Sequence, residues 1–331
     1  MMQAPRCSQP HIAISNIRFS PFCIASAHHR PGRAQLFRIM AQEEYKVAVI
    51  TGGTRGIGYA IANSLARSGY KGFVLGYNSD HEAAAKARTE LEDRYGVRSV
   101  CVQGDLADPA VVRQLFQAVR ENFDNRCTAF IHNAGLILGF SSKSTYEKAP
   151  VVTERTQQQL LAVSTNPDIT PSDTELDDME ERFEYYWRVY TLAFQLGMKL
   201  AVRCEGFRHI IAISAPGCNI TYSPFIWLDD RGQGKAGMEL LVRIAARLYA
   251  KKGINCNAVI PGLVLAGGTL NSIEKGEKFK AATDDRASAT TGRLMPPSEI
   301  GDVVSFLCSP QGLAINGVAL PVDNGLHLFG R

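Results

Sequence analysis

A short apolar, β-branched run, Tyr45 to Ile50, passes without a spacer into "TGGTRGIG" (Thr51–Gly58) and then into a segment with Ile57, Ile61 and Leu65 on one helical face. A run of that length reads as a buried strand, and the threefold-to-fourfold spacing after it reads as a helix. The glycines between them allow a tight turn and let backbone N–H groups approach a diphosphate at the helix N-terminus. One β-turn-α unit with a phosphate-binding turn is the reading, and its flanking strand and helix are the context such a motif requires.

The alternation continues. "GFVLGY" (Gly72–Tyr77), a helix from His81 to Tyr95, "SVCVQ" (Ser99–Gln103), a helix from Pro109 to Phe123 and "AFIH" (Ala129–His132) follow in order. From Gly139 to Pro171 the pattern fails, and a loop of that length is read as a substrate loop. After it, Ser172 with Glu175 forms a capping box opening a long helix to about Arg203. Its stripe Met179, Phe183, Trp187, Tyr190, Phe194 and Met198 predicts one buried face. Then come "HIIAIS" (His209–Ser214), a helix from Lys235, "INCNAVI" (Ile254–Ile260), the helix "PSEIGDVVSFLC" and a last strand "GVALPV". Alternating units of this kind predict an α/β, doubly wound parallel sheet of about seven strands in a single domain, residues 45–331.

The charge balance limits the partners. Met1 to Gln42 holds five arginines (Arg6, Arg18, Arg30, Arg33, Arg38) and no acidic residue; the remainder carries 31 basic and 32 acidic residues. A near-neutral body without a basic cluster argues against nucleic acid. No apolar run approaches the roughly 18 residues of a membrane span. The eight cysteines are scattered without a CxxC pair, which predicts reduced thiols and no metal site. Residues 1–42 read either as a targeting peptide for a mitochondrion or plastid, or as a disordered extension of a cytoplasmic protein.

With these motifs in place, the chain from Tyr45 to Leu328 resembles the short-chain dehydrogenase/reductase family, whose fingerprint TGxxxGxG is matched by Thr51, Gly52, Gly56 and Gly58. "GDLAD" with Asp105, "HNAG" (His132–Gly135) in place of the usual NNAG, "NAVIPG" (Asn257–Gly262) and "VDNG" (Val322–Gly325) fall in the family's order. The resemblance implies a Rossmann fold and a bound nicotinamide dinucleotide. Its contacts are expected at Gly52, Thr54, Arg55, Gly56, Ile57 and Gly58 in the turn, and at Tyr77, Asn78 and Ser79 at the tip of the second strand. Asp105 and Leu106, then Asn133, Ala134 and Gly135, and finally Lys235, Pro261 and Gly262 complete the set. A carboxylate at the tip of the second strand would repel a 2′-phosphate; here "GYNSD" places Asp80 too late, and Arg55 supplies a cation. NADP(H) is therefore the expected cofactor.

The family's catalytic serine and lysine are matched by Ser214, with Gly217 at the SxxG spacing, and by Lys235. Its tyrosine is not. Four residues before Lys235 stands Arg231, which cannot donate a proton at neutral pH. The wider spacing of the enoyl reductases reaches Leu228. The stretch from Ser214 to Lys235 is longer than usual in the family, so "CNITYSPFIWLDD" holds an insertion, with "DDRG" as its trailing end. Tyr222 is the tyrosine within it and the first candidate for a relocated acid. No asparagine occurs from Arg182 to Cys204 to hold a relay water, which leaves Tyr186 or Tyr190 as further candidates.

The expected activity is NADPH-dependent reduction of a carbonyl, such as a 3-oxoacyl group or a related ketone or aldehyde. The alternatives are an enoyl reductase and a non-catalytic NADP(H)-binding protein. The expected partners are a small-molecule or acyl-thioester substrate and further copies of the chain. A homodimer or homotetramer would form through the long helix, with Phe183, Trp187, Tyr190 and Phe194, and through the helix bearing Lys235.

Overall fold

Seven strands pair in parallel in the order β3-β2-β1-β4-β5-β6-β7. They are β1 (Lys46–Thr51), β2 (Tyr70–Tyr77), β3 (Arg98–Gln103), β4 (Ala129–His132), β5 (His209–Ile213), β6 (Asn255–Pro261) and β7 (Ala319–Val322). A computed structural model describes residues 45–135, 168, 170–222, 229–266 and 291–328, with the backbone alone at 229–231. Residues 1–42, on which the targeting expectation falls, and nearly all of the expected substrate loop lie outside these residues.

The helices are α1 (Gly56–Arg67), α2 (His81–Tyr95), α3 (Pro109–Asn122), α4 (Asp173–Trp187), α5 (Ala193–Ala201), α6 (Asp229–Tyr249) and α7 (Pro297–Leu307). They cover both faces of the sheet. Successive residues of a strand point to opposite faces, so Val47 and Val49 join one core while Ala48 and Ile50 join the other. The first core takes α3, α5 and α6 through Leu115, Phe194 and Val242. The second takes α1, α2 and α7 through Ile61, Leu91 and Val304. A sheet buried on both faces needs continuous apolar strands, which is what the β1 and β4 runs supply.

Two expectations are corrected. The long helix does not run evenly: α4 passes into a π turn, Arg188–Leu192, before α5. A π turn takes an extra residue and rotates whatever follows, so a stripe continuous in sequence is split in space. Met179, Phe183 and Trp187 are 41%, 36% and 42% exposed, whereas Tyr190 and Phe194 are 1% and 0% exposed. The buried side of α4 is instead made by Arg182, Tyr185 and Tyr186. Tyr190 and Phe194 are thus core residues and cannot serve a subunit contact.

The second correction concerns α6, which begins at Asp229, six residues before Lys235. The helix expected from Lys235 thus starts earlier, with "DDRG" in its first turn. Arg231 therefore occupies the turn before Lys235.

Candidate active site

Because every strand runs the same way, residues 51, 77, 103, 132, 213, 261 and 322 all end at one edge of the sheet. The strand order reverses between β1 and β4, and the crevice outside the strand ends at such a switch point is where ligands bind in open α/β sheets.

The glycine turn sits in that crevice. Gly52 and Gly56 have φ of 62° and 53°, a region that disfavours side chains. A Cβ at Gly58 would lie 2.1 Å from the Gly52 carbonyl oxygen, so only glycine admits this approach. Asn133 clamps the turn, donating from Nδ2 to the carbonyls of Thr51 and Gly52 at 3.1 and 3.0 Å. Ala134 backs Gly52, whose own Cβ would stand 3.0 Å from Ala134 Cα. Thr54 is buried and Ile57 packs on the second core. The first turn of α1 carries no acidic residue, and Arg55 makes no capping bond there. The helix N-terminus is thus left to accept an anion.

At the tip of β2, Asn78 Nδ2 is buried without a hydrogen-bond partner among the described residues. A buried orphan donor is costly unless a ligand completes it. Tyr77 hydroxyl bonds His81 Nδ1 at 3.1 Å, and Ser79 carbonyl accepts from the His81 N–H at 3.1 Å. Arg55 pairs with Asp80 across 3.4 Å, both side chains substantially exposed. Asp80 also caps α2 by accepting from the Ala83 N–H, which holds it back from the strand tip. Beyond β3, Asp105 accepts from the Ala107 N–H at 2.9 Å and from the Tyr185 hydroxyl at 3.1 and 3.2 Å, while Leu106 packs against the same tyrosine cluster. The glycine cradle, the open helix end and the orphan amide fit a dinucleotide.

On the other side of the switch point, Lys235 Nζ donates to the Ile213 carbonyl at 2.9 Å, which sets it beside Ser214. Its ammonium lies 4.7 Å from the centre of the Tyr190 ring. Tyr190 stacks on Tyr186 with centroids 5.8 Å apart, and a Cβ on Gly135 would lie 3.6 Å from the Tyr190 hydroxyl. The π turn thus sets this ring against Lys235, with its hydroxyl near Gly135. Pro261 and Gly262 close the crevice; Gly262 donates to the Val322 carbonyl and abuts Asp323, where a Cβ would stand 2.7 Å from Cα.

Tyr222, the expected relocated acid, has its hydroxyl engaged by a carboxylate. Its hydroxyl donates to Asp323 Oδ2 at 2.7 Å. His327 braces the same carboxylate with Nδ1 at 3.1 Å and its backbone N–H at 2.8 Å. Burial and the adjoining Asp323 carboxylate push the Tyr222 phenol well above its ordinary range, and these same partners hold the Asp323 carboxyl below its own despite burial. Tyr222 thus ties the loop before α6 to the chain after β7.

One group was missed in the sequence, and one noted substitution, His132, was given no role there. Glu239, one turn after Lys235, accepts from the Ser214 hydroxyl and from Asn219 Nδ2. Its spacing from Lys235 is a signal, since residues four apart share a helix face. His132 replaces the family's first asparagine and bridges Thr51 Oγ1 and the Val189 carbonyl. Leu228 and the Arg231 side chain lie outside the described residues. Among the described residues no group of His, Cys, Asp and Glu is placed to hold a metal, and no helix is long and apolar enough to cross a membrane.

Comparison with known proteins agrees with this geometry. Residues 46–184 match the family described as "short chain dehydrogenase", and residues 173–327 match the one described as "Enoyl-(Acyl carrier protein) reductase". The chain is 26% identical over 296 residues to 3beta-hydroxysteroid dehydrogenase 1 of Eggerthella lenta, covering 86% of this chain and 94% of that protein. It is 25% identical over 293 residues to a chloroplastic NADPH-dependent aldehyde reductase-like protein of Arabidopsis thaliana, covering 85% and 93%. Among solved structures, a short-chain dehydrogenase from Burkholderia cenocepacia in complex with NADP superposes with a TM-score of 0.64 at 25% identity, over 85% of this chain and 97% of that one. The two family matches together span the sheet from β1 to the segment after β7, and the chain belongs to the short-chain dehydrogenase/reductase family.

Proposed function

We propose that the chain is an NADPH-dependent oxidoreductase that reduces a carbonyl, such as a 3-oxoacyl group or a related ketone or aldehyde. The observation that carries this reading is the placement of Lys235 on the Ile213 carbonyl beside Ser214, across the switch point from the glycine cradle. When bound, the nicotinamide ring supplies the hydride. Ser214 and Lys235 then orient the substrate oxygen and stabilise the charge that develops on it. Mixing the protein with NADPH and a panel of ketones, aldehydes and 3-oxoacyl thioesters tests the reading through the absorbance of the reduced nicotinamide. Tight NADPH binding without turnover of any substrate favours the non-catalytic binder.

Reduction of a conjugated C=C is the second reading. It is favoured by the match of residues 173–327 to the enoyl reductase description and by Arg231 standing where a tyrosine would. Turnover of enoyl thioesters with none of the ketones selects it.

The NADP preference rests on Arg55. Its exposed pair with Asp80 is of a kind worth about 1 kcal/mol or less, so the guanidinium swings to a 2′-phosphate at little cost. Charge-assisted contacts of that sort contribute about 1.5–3 kcal/mol. Arg55→Glu is expected to weaken NADPH binding at least about tenfold in a fluorescence titration, with a smaller change for NADH. Equal NADPH affinity in the variant and the parent would remove the basis of the assignment.

We also infer a homo-oligomer, now through a different set of side chains. Leu176, Met179, Phe183 and Trp187 on α4 and Leu240, Ile244 and Leu248 on α6 are exposed apolar residues. Phe183 stacks on Trp187 at 6.1 Å, and Trp187 lies against Gly237, so the two helices present one surface. An Ile244→Glu variant is expected to sediment as a monomer while keeping its melting profile; an unchanged sedimentation coefficient would rule this face out.

A further inference from the structure

We propose that Glu239, acting through the Ser214 hydroxyl, supplies and retrieves the proton of the reaction, the task left open by the absence of a tyrosine at position 231. The inference rests on the oxidoreductase reading above.

Lys235 and Glu239 stand one turn apart on α6 and both reach the end of β5: the lysine at the Ile213 carbonyl, the glutamate at Ser214. Ser214 is 4% exposed and Glu239 7%. A carboxylate so deeply placed is costly unless its oxygens are bonded, and here each has a different partner. Asn219 Oδ1 accepts from the Thr221 N–H at 2.9 Å, which fixes the amide orientation. Asn219 Nδ2 must therefore face Glu239, donating to Oε2 at 2.7 Å. An amide donates to that oxygen and cannot exchange a proton with it. The other oxygen, Oε1, accepts from the Ser214 hydroxyl. The carboxylate is thus anchored through one oxygen and in contact with an exchangeable proton through the other.

In reduction, a bound reduced nicotinamide would supply the hydride to the carbonyl carbon, and the carbonyl oxygen takes the Ser214 hydroxyl proton. Ser214 Oγ takes the proton of the Glu239 carboxylic acid, leaving the carboxylate, which water reprotonates. Oxidation of the alcohol runs the same transfers backwards. The arrangement seen, with Ser214 donating to Glu239, is the one from which oxidation starts. The charged and titratable groups around the pair are Lys235 on the same helix, Tyr190 beneath that lysine, Tyr222 on the loop before α6 and Asp323 behind it.

Glu239→Gln keeps the shape and removes the exchangeable proton. It is expected to lower kcat about 100- to 1,000-fold, the range of a lost proton-transfer group, with KM and NADPH affinity little changed. Loss of rate toward high pH in reduction, and toward low pH in oxidation, is expected to disappear in this variant and to persist in Glu239→Asp. A Glu239→Gln enzyme that keeps the parent's pH profile, or its kcat within about threefold, overturns the proposal. A second measurement needs no turnover. With 13C-labelled glutamate, the Glu239 carboxylate signal is assigned by its loss in Glu239→Gln, and it is expected to shift in Ser214→Ala. A signal indifferent to Ser214→Ala overturns the pairing even if no substrate is turned over, in which case the carbonyl reductase reading fails separately.

Discussion

Lys235→Ala is expected to reduce kcat/KM for carbonyl reduction about 1,000-fold, close to 4 kcal/mol of transition-state stabilisation. The side chain is held on a rigid platform. Thr191 in the π turn donates to the Gly234 carbonyl at 2.7 Å, and a Cβ on Gly234 would lie 3.1 Å from the Tyr186 carbonyl oxygen, so the backbones of the π turn and α6 meet almost directly. Met238 is fully buried on the same helix. An ammonium fixed this way beside Ser214 meets developing negative charge without reorganising, which is where such a group contributes most. Lys235→Arg is expected to recover little, because a planar fork does not replace a compact ammonium between the Ile213 carbonyl and the Tyr190 ring. The measurement is steady-state kinetics alongside a separate NADPH titration. A Lys235→Ala enzyme within tenfold of the parent, at equal cofactor occupancy, would reduce the lysine to an ordinary helix residue.

How far such a site can be read from the chain depends on how local its causes are. The strands β1 to β4 and the turn at Thr51–Gly58 are set by residues within a few positions of each other: apolar runs, glycines with positive φ, and caps such as Asp80 and Asp108. Ser214 and Lys235 are legible because each lies at a strand end or helix turn with its own short pattern. The π turn is not legible, because what favours it is remote. His132 on β4 donates to the Val189 carbonyl, and Thr191 engages Gly234 on α6, so partners 57 and 43 residues away select it. The aromatic stripe misled for the same reason. Tyr222 has the same character, since its partner Asp323 is 101 residues distant and its hydroxyl chemistry follows from that contact. Glu239 was one helical turn from a residue already singled out, yet its meaning depends on Asn219, whose amide is oriented by a loop turn.

Acidification is expected to unfold this chain early, and His132 is the largest identified cause. The ring is fully buried, and its partners define one tautomer. The Val189 carbonyl can only accept, so Nε2 carries the hydrogen and donates to it at 3.0 Å; Nδ1 then accepts from the Thr51 hydroxyl at 3.2 Å. Thr51 Oγ1 in turn accepts from the N–H groups of Asn133 and Ala134, both at 3.0 Å. Burial, reinforced by the nearby Lys235 charge, pushes the imidazole down to about 3 from an ordinary 6.5. A folded value below the unfolded one means that the unfolded chain binds the extra proton between these limits, so stability falls as pH falls below about 6.5. At about 1.4 kcal/mol per unit, the upper limit of the loss is roughly 4–5 kcal/mol at the acid end and about 2 kcal/mol by pH 5. Protonated Nδ1 would face Thr51 Oγ1 with a third donor, so the strain enters at the clamp that holds the glycine turn. His209, lowered to about 4 by burial, adds to the same trend from the other end of the sheet. His132→Asn is expected to melt lower than the parent at pH 7, having lost a buried bond, but to lose less between pH 7 and pH 4, with the His209 contribution common to both. Calorimetric melts across that range decide it. Parallel curves for the two proteins would show that His132 is not the group that titrates.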